Sequence, residues 1–147
     1  MNIANFQFPC FVPYNKPAIE IYVAGCLGTC HNCHNPQLHN FNLGKPFDYG
    51  CLGYLKERED LFEAIGFLGG EFLDQNLSEF KSVAKLLRNI FKTKEFWLFT
   101  RYEIEEIPEW CKEVFDYIKV GKYIEELKQE GFPASSNQKL LKKGVNY

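Results

Sequence analysis

Four short apolar runs in this 147-residue chain each stop at glycines or polar residues, and this punctuation limits what the chain can fold into. "AIEIYVA" (18–24) is rich in β-branched and aromatic residues and ends at Gly25; "AIGFLGGE" (64–71) repeats the pattern, as do "EFWLFT" (95–100) and "YIKVGKYI" (117–124). Runs of this length bounded by turn residues read as strands. The segments between them have helical spacing. Residues 47–62 place Cys51, Leu52 and Leu55 on one side, and 76–91 place Phe80, Val83, Ala84, Leu87 and Phe91 on one face. Asn76 and Glu79 are set as a capping box for that second helix. Tyr102 to Phe115 is helical in period, with Pro108 breaking it in two or sitting in a first turn. "NQKLL" (137–141) reads as a last short strand. Strands alternating with helices predict an α/β fold with a mostly parallel sheet, whose sites lie where strands end and loops begin.

The length fits a single domain over 1–147, and 46% apolar residues supply its core. A net charge of -2, with no basic stripe interleaved with aromatics, argues against nucleic acid. The N-terminal residues lack the pattern of a signal peptide, and no apolar run approaches the roughly 18 residues that span a bilayer, so no membrane partner and a cytoplasmic location are expected. In a reducing compartment six cysteines do not read as a disulfide framework.

The first run delivers "GCLGTCHNCHN", which holds Cys26, Cys30 and Cys33 in C-x3-C-x2-C spacing. Three thiolates in one loop can wrap a metal centre. Zinc would need one of His31, His34 or His39 to close a Cys3His site. An iron–sulfur cluster takes Cys thiolates, and three of them on four irons leave one iron open for chemistry. Cys10, Cys51 and Cys111 lack partners at ligand spacing and read as small buried hydrophobes.

The stretch "CLGTCHNCHN" resembles the cluster loop of the radical S-adenosylmethionine superfamily. Within it the chain is most similar to the activating enzymes of anaerobic (class III) ribonucleotide reductase, through "GGE" (69–71), "LFTRY" (98–102), "VGKYIEEL" (120–127) and "SSNQ" (135–138). The resemblance implies a small partial (β/α) barrel and an activase that cleaves S-adenosylmethionine reductively to make a glycyl radical. It places a [4Fe–4S] cluster on Cys26, Cys30 and Cys33 and the methionine end of the cofactor on Gly69, Gly70 and Glu71. Thr100 falls to the ribose and His34 to the adenine. The implied partners are the large subunit of the reductase and a low-potential electron donor such as flavodoxin. Departures from the pattern fall at Asn32, His34, Phe72 and Ala134, and at Arg101, where the resemblance expects glycine. An activase of a pyruvate formate-lyase-like enzyme, another short radical enzyme and a zinc-binding interaction module remain as other readings.

Overall fold

A computed structural model describes residues 1–147. The four expected strands are present as β2 (Ala18–Val23), β4 (Ala64–Gly69), β5 (Glu95–Phe99) and β6 (Tyr117–Val120). They form a contiguous parallel block, with Glu20 level with Gly66, Gly66 with Trp97 and Trp97 with Tyr117. Three strands flank it antiparallel: β1 (Asn2–Cys10) on β2, the two-residue β3 (Lys45–Pro46) on β1, and β7 (Lys139–Lys142) on β6. The sheet order is β3-β1-β2-β4-β5-β6-β7. The fold is thus mixed α/β with a parallel centre, and β1 is an addition to the expected plan. The fourth run is shorter than expected because the chain turns at Gly121, where φ is +95°.

Helices α1 (Tyr49–Glu57), α2 (Leu77–Ile90) and α3 (Glu109–Val114) follow the predicted order. Pro108 directly precedes α3, and a 3-10 turn at Ile104–Glu106 takes up the residues before it, so the expected break occurs. The capping box of α2 is only half made. Asn76 Oδ1 accepts from the Glu79 N–H at 3.0 Å, but the Glu79 carboxylate accepts from the Met1 ammonium, also at 3.0 Å.

Strand alternation gives the sheet two unlike faces. Ile19, Ile21, Val23, Ile65, Phe67, Phe96, Leu98, Ile118 and Val120 join Leu55, Phe80, Ala84, Leu87 and Cys111 of the helices in one buried core. The residues between them in sequence point the other way. On that face Tyr14, Ala18, Ala64 and Trp97 form a small separate core near the strand starts. Towards the strand ends the same face opens as a cavity.

No helix is long and apolar enough to cross a membrane. Phe67 is fully buried, and its ring centroid lies 5.5, 5.6 and 5.1 Å from those of Phe72, Phe96 and Phe115. Replacing it by alanine removes the centre of this aromatic group, so Phe67→Ala should lose about 3 to 5 kcal/mol in anaerobic urea unfolding.

Candidate functional site

The cavity at the strand ends measures about 340 Å³, and Cys26, Cys30 and Cys33 all line it, together with His34. Gly69 joins from the end of β4 with Gly70 and Glu71 just after it, and Thr100 and Arg101 from beyond β5. The sequence-predicted residues therefore come together in one place. Lys119, Tyr123 and Gln138 complete the far wall, and Glu20 reaches in from β2.

Backbone contacts at Gly25 and Gly70 anchor the root of the cysteine loop. Gly25 donates its N–H to the Leu38 carbonyl at 2.8 Å, and its own carbonyl accepts from Glu71 N at 2.8 Å and Gln75 Nε2 at 3.0 Å. Gly70 packs directly against this crossing, where a Cβ would overlap the Gly25 carbonyl and lie 2.8 Å from the Leu38 oxygen. Only glycine fits there. The Gly70 carbonyl itself has no donor in the protein. Beyond the root, Leu27 N–H donates to Asp74 Oδ2 at 2.7 Å, Gly28 N–H to Cys26 Sγ at 3.3 Å, and Cys33 N–H to the Cys30 carbonyl at 3.2 Å.

Two side chains take other roles than a free ligand group. The Glu71 carboxylate is buried at 2% exposure. It accepts from Leu73 N at 3.1 Å, Thr100 Oγ1 at 2.8 Å and Arg101 N at 2.8 Å. Thr100 Oγ1 in turn accepts from Tyr102 N at 3.2 Å. These groups tie the ends of β4 and β5 together. Burial raises the pKa of Glu71 from its ordinary 4.5, against the three donors that favour its charge. Burial also works to raise that of Asp74, but the Tyr102 hydroxyl, Leu27 N–H and Arg101 guanidinium outweigh it and hold the group below the usual carboxylate range.

Other functional groups were not apparent from the sequence. Lys119 lines the cavity, where burial lowers its pKa to about 8 against the opposing charges of Glu71, Cys30 and Glu103. Glu20 accepts from Tyr14 at 2.7 Å, Tyr22 at 2.9 Å and the Cys10 thiol at 3.3 Å, so Cys10 is a hydrogen-bonding thiol and not simply a hydrophobe. Cys111 is buried and Cys51 half-buried, and neither lines the cavity. The His34 and Tyr123 rings are in tilted contact, with centroids 4.6 Å apart and planes at 48°. His31 lies in a neighbouring cavity, and His39 ends the 3-10 turn Pro36–His39. The "SSNQ" residues have two roles. They form the turn before β7 and reach the cavity: Gln138 Nε2 donates to the Gly121 carbonyl at 2.9 Å and Asn137 Nδ2 to that of Lys122 at 2.9 Å.

All six cysteines are free, and no three of the His, Cys, Asp and Glu side chains are gathered to hold a metal ion. The loop sulfurs instead share the wall of one roomy cavity. Three thiol donors on one cavity wall are the ligand set of a multi-iron cluster that keeps one iron open.

The 4Fe-4S single cluster domain family matches residues 18–141, from the start of β2 into β7. The chain belongs to that family. As a 4Fe-4S single cluster domain, it is also similar to proteins named anaerobic ribonucleoside-triphosphate reductase-activating protein. That of Escherichia coli (strain K12) is 27% identical over 128 residues, covering 80% of this chain and 83% of the relative. That of Enterobacteria phage T4 is 28% identical over 141 residues, covering 90% and 89%. The Vibrio cholerae protein is 24% identical over 128 residues, covering 80% and 83%.

Glu71→Gln tests the buried carboxylate. Whichever way the amide is turned, its NH2 meets an N–H or O–H that donated to Glu71, and stability should fall by about 1 to 3 kcal/mol. The pH dependence has a definite sign. A pKa raised on folding means the native state binds the proton more readily than the unfolded chain. Wild-type stability from this group is therefore full below 4.5 and is lost as pH rises through the folded value. Urea unfolding from pH 4 to 8 should show that component of slope in the wild type and not in the variant.

Proposed function

We propose that residues 1–147 form one radical S-adenosylmethionine domain, with a small partial (β/α) barrel, that activates the large subunit of anaerobic ribonucleotide reductase. The observation that carries this reading is the shared cavity wall. Three thiols, the Gly69–Glu71 turn and Thr100 meet there at the ends of adjacent parallel strands, in a chain of the single-cluster family with activating proteins among its relatives.

Cys26, Cys30 and Cys33 would hold three irons of a [4Fe–4S] cluster and leave the fourth open. Bound there, a reduced cluster and S-adenosylmethionine would supply one-electron reductive cleavage and, through it, hydrogen-atom removal from a glycine Cα. The chain's own residues bind and orient. The Gly70 carbonyl, without a protein donor, is available to the methionine ammonium. Glu71 contributes mainly by fixing that turn, through its bonds to Leu73 N, Thr100 Oγ1 and Arg101 N. Thr100 shapes the ribose side through its bond to Glu71. The paired rings of His34 and Tyr123 offer an aromatic surface for the adenine. The glycine-bearing loop of the large reductase subunit, entering the open sheet face, would seal the cavity from water. A low-potential electron donor such as flavodoxin would serve the cluster.

Anaerobically purified protein should contain about four iron and matching sulfide per chain. Alanine at Cys26, Cys30 or Cys33 should abolish this, while alanine at Cys51 or Cys111 should not. Mixed with its reductase, S-adenosylmethionine and reductant, the protein should produce a glycyl radical doublet in electron paramagnetic resonance. Stoichiometric zinc without iron refutes the cluster. A doublet obtained only with a different glycyl radical enzyme keeps the chemistry and changes the partner.

A further inference from the structure

One buried side-chain nitrogen or oxygen in the chain lacks a hydrogen-bond partner, and it is Nε of Arg101. The rest of that side chain is firmly held. Its Nη2 donates to Asp74 Oδ1 at 3.1 Å, Asp74 Oδ2 at 2.9 Å and the Tyr102 hydroxyl at 3.0 Å, and its guanidinium lies 4.3 Å from the Tyr102 ring centroid. Asp74 is itself fixed by the Leu27 N–H. The unpartnered N–H therefore cannot swing to another acceptor without breaking this arrangement.

Beside it lies Cys26. A Cβ built on Gly28 would stand 2.9 Å from Arg101 Nε and 3.2 Å from Cys26 Sγ, so the two groups border the same glycine. A protonated thiol is a weak acceptor, whereas a thiolate accepts strongly from a charged donor. Arg101 already lies within interaction range of the Cys26 side chain, and its Nε–H, without a well-formed bond there, gains a strong acceptor once the sulfur binds iron.

We propose that Arg101 is a positioning residue for the Cys26 ligand: its Nε–H donates to the iron-bound sulfur, and its fixed charge raises the reduction potential of the cluster. The sign follows from charge. Reduction adds an electron, and a nearby cation with a hydrogen bond to sulfur favours the more negative state. The inference rests on the proposed ligation by Cys26. It concerns the position at which the resemblance expects glycine.

The holoprotein grown with guanidino-15N arginine provides the test. Pulsed electron paramagnetic resonance of the reduced cluster should show an arginine nitrogen coupling in the unmutated protein. Arg58 and Arg88 do not line the cavity, so the coupling should vanish in Arg101→Lys. The midpoint potential should move negative in Arg101→Lys and further in Arg101→Met, at unchanged iron content. Absence of the coupling in the unmutated protein overturns the inference whether or not the variants fold. An unshifted potential in iron-replete Arg101→Met overturns it as well. Cys26→Ala separates the two levels: full iron in that variant defeats the ligand assignment beneath, while loss of iron there, with no arginine coupling in the unmutated protein, defeats the role of Arg101 alone.

Discussion

A carboxylate removed from water costs several kcal/mol unless its oxygens find donors, and Glu71 meets that demand with groups from separate segments of chain. Leu73 N–H belongs to its own turn, while Thr100 Oγ1 and Arg101 N–H come from the end of β5. The backbone N–H of the same residue reaches back to the Gly25 carbonyl at the root of the cysteine loop. One buried residue therefore fixes the relative positions of three loops. The placement of the cysteine loop's root, the Gly69–Gly70 turn and Thr100 relative to one another follows from that set of bonds.

The sheet gives this arrangement a setting with different demands on its two faces. Helices cover one face with aliphatic and aromatic side chains, and the other is left to Trp97 and Tyr117 in the smaller core and to Glu20, Phe99 and Lys119 at the cavity. Adjacent residues on one strand thus answer to unlike constraints. Ile118 must fill space among packed helices, while Lys119 keeps its charge in a cavity at some cost, seen in its lowered proton affinity. Two unlike cations, Lys119 and Arg101, and two buried acids, Glu20 and Glu71, share a small volume.

Much of this was legible along the chain because local pattern and tertiary role agree. The strands at 18–24, 64–71 and 95–100 end within one or two residues of the observed β2, β4 and β5, where glycine or threonine meets a loop. The face of α2 was visible for the same reason, since Phe80, Ala84 and Leu87 all enter the core. The strand β1 was less visible: its Asn2, Asn5 and Gln7 carry no apolar run, and it depends on pairing with β2. Glu20 and Lys119 were passed over although a signal existed, namely one charged residue inside each otherwise apolar strand. The internal use of Glu71 and Thr100 was not readable, because sequence spacing does not tell whether a polar group faces a ligand or another loop.

The hydrophobic core consists of residues outside the cysteine loop, and the loop's root is held by backbone bonds that involve no thiol. Architecture and inorganic centre are thus separable. Loss of whatever the thiols hold would therefore leave the core packing in place, with Cys26, Cys30 and Cys33 still lining one cavity and open to reloading without new synthesis of the chain.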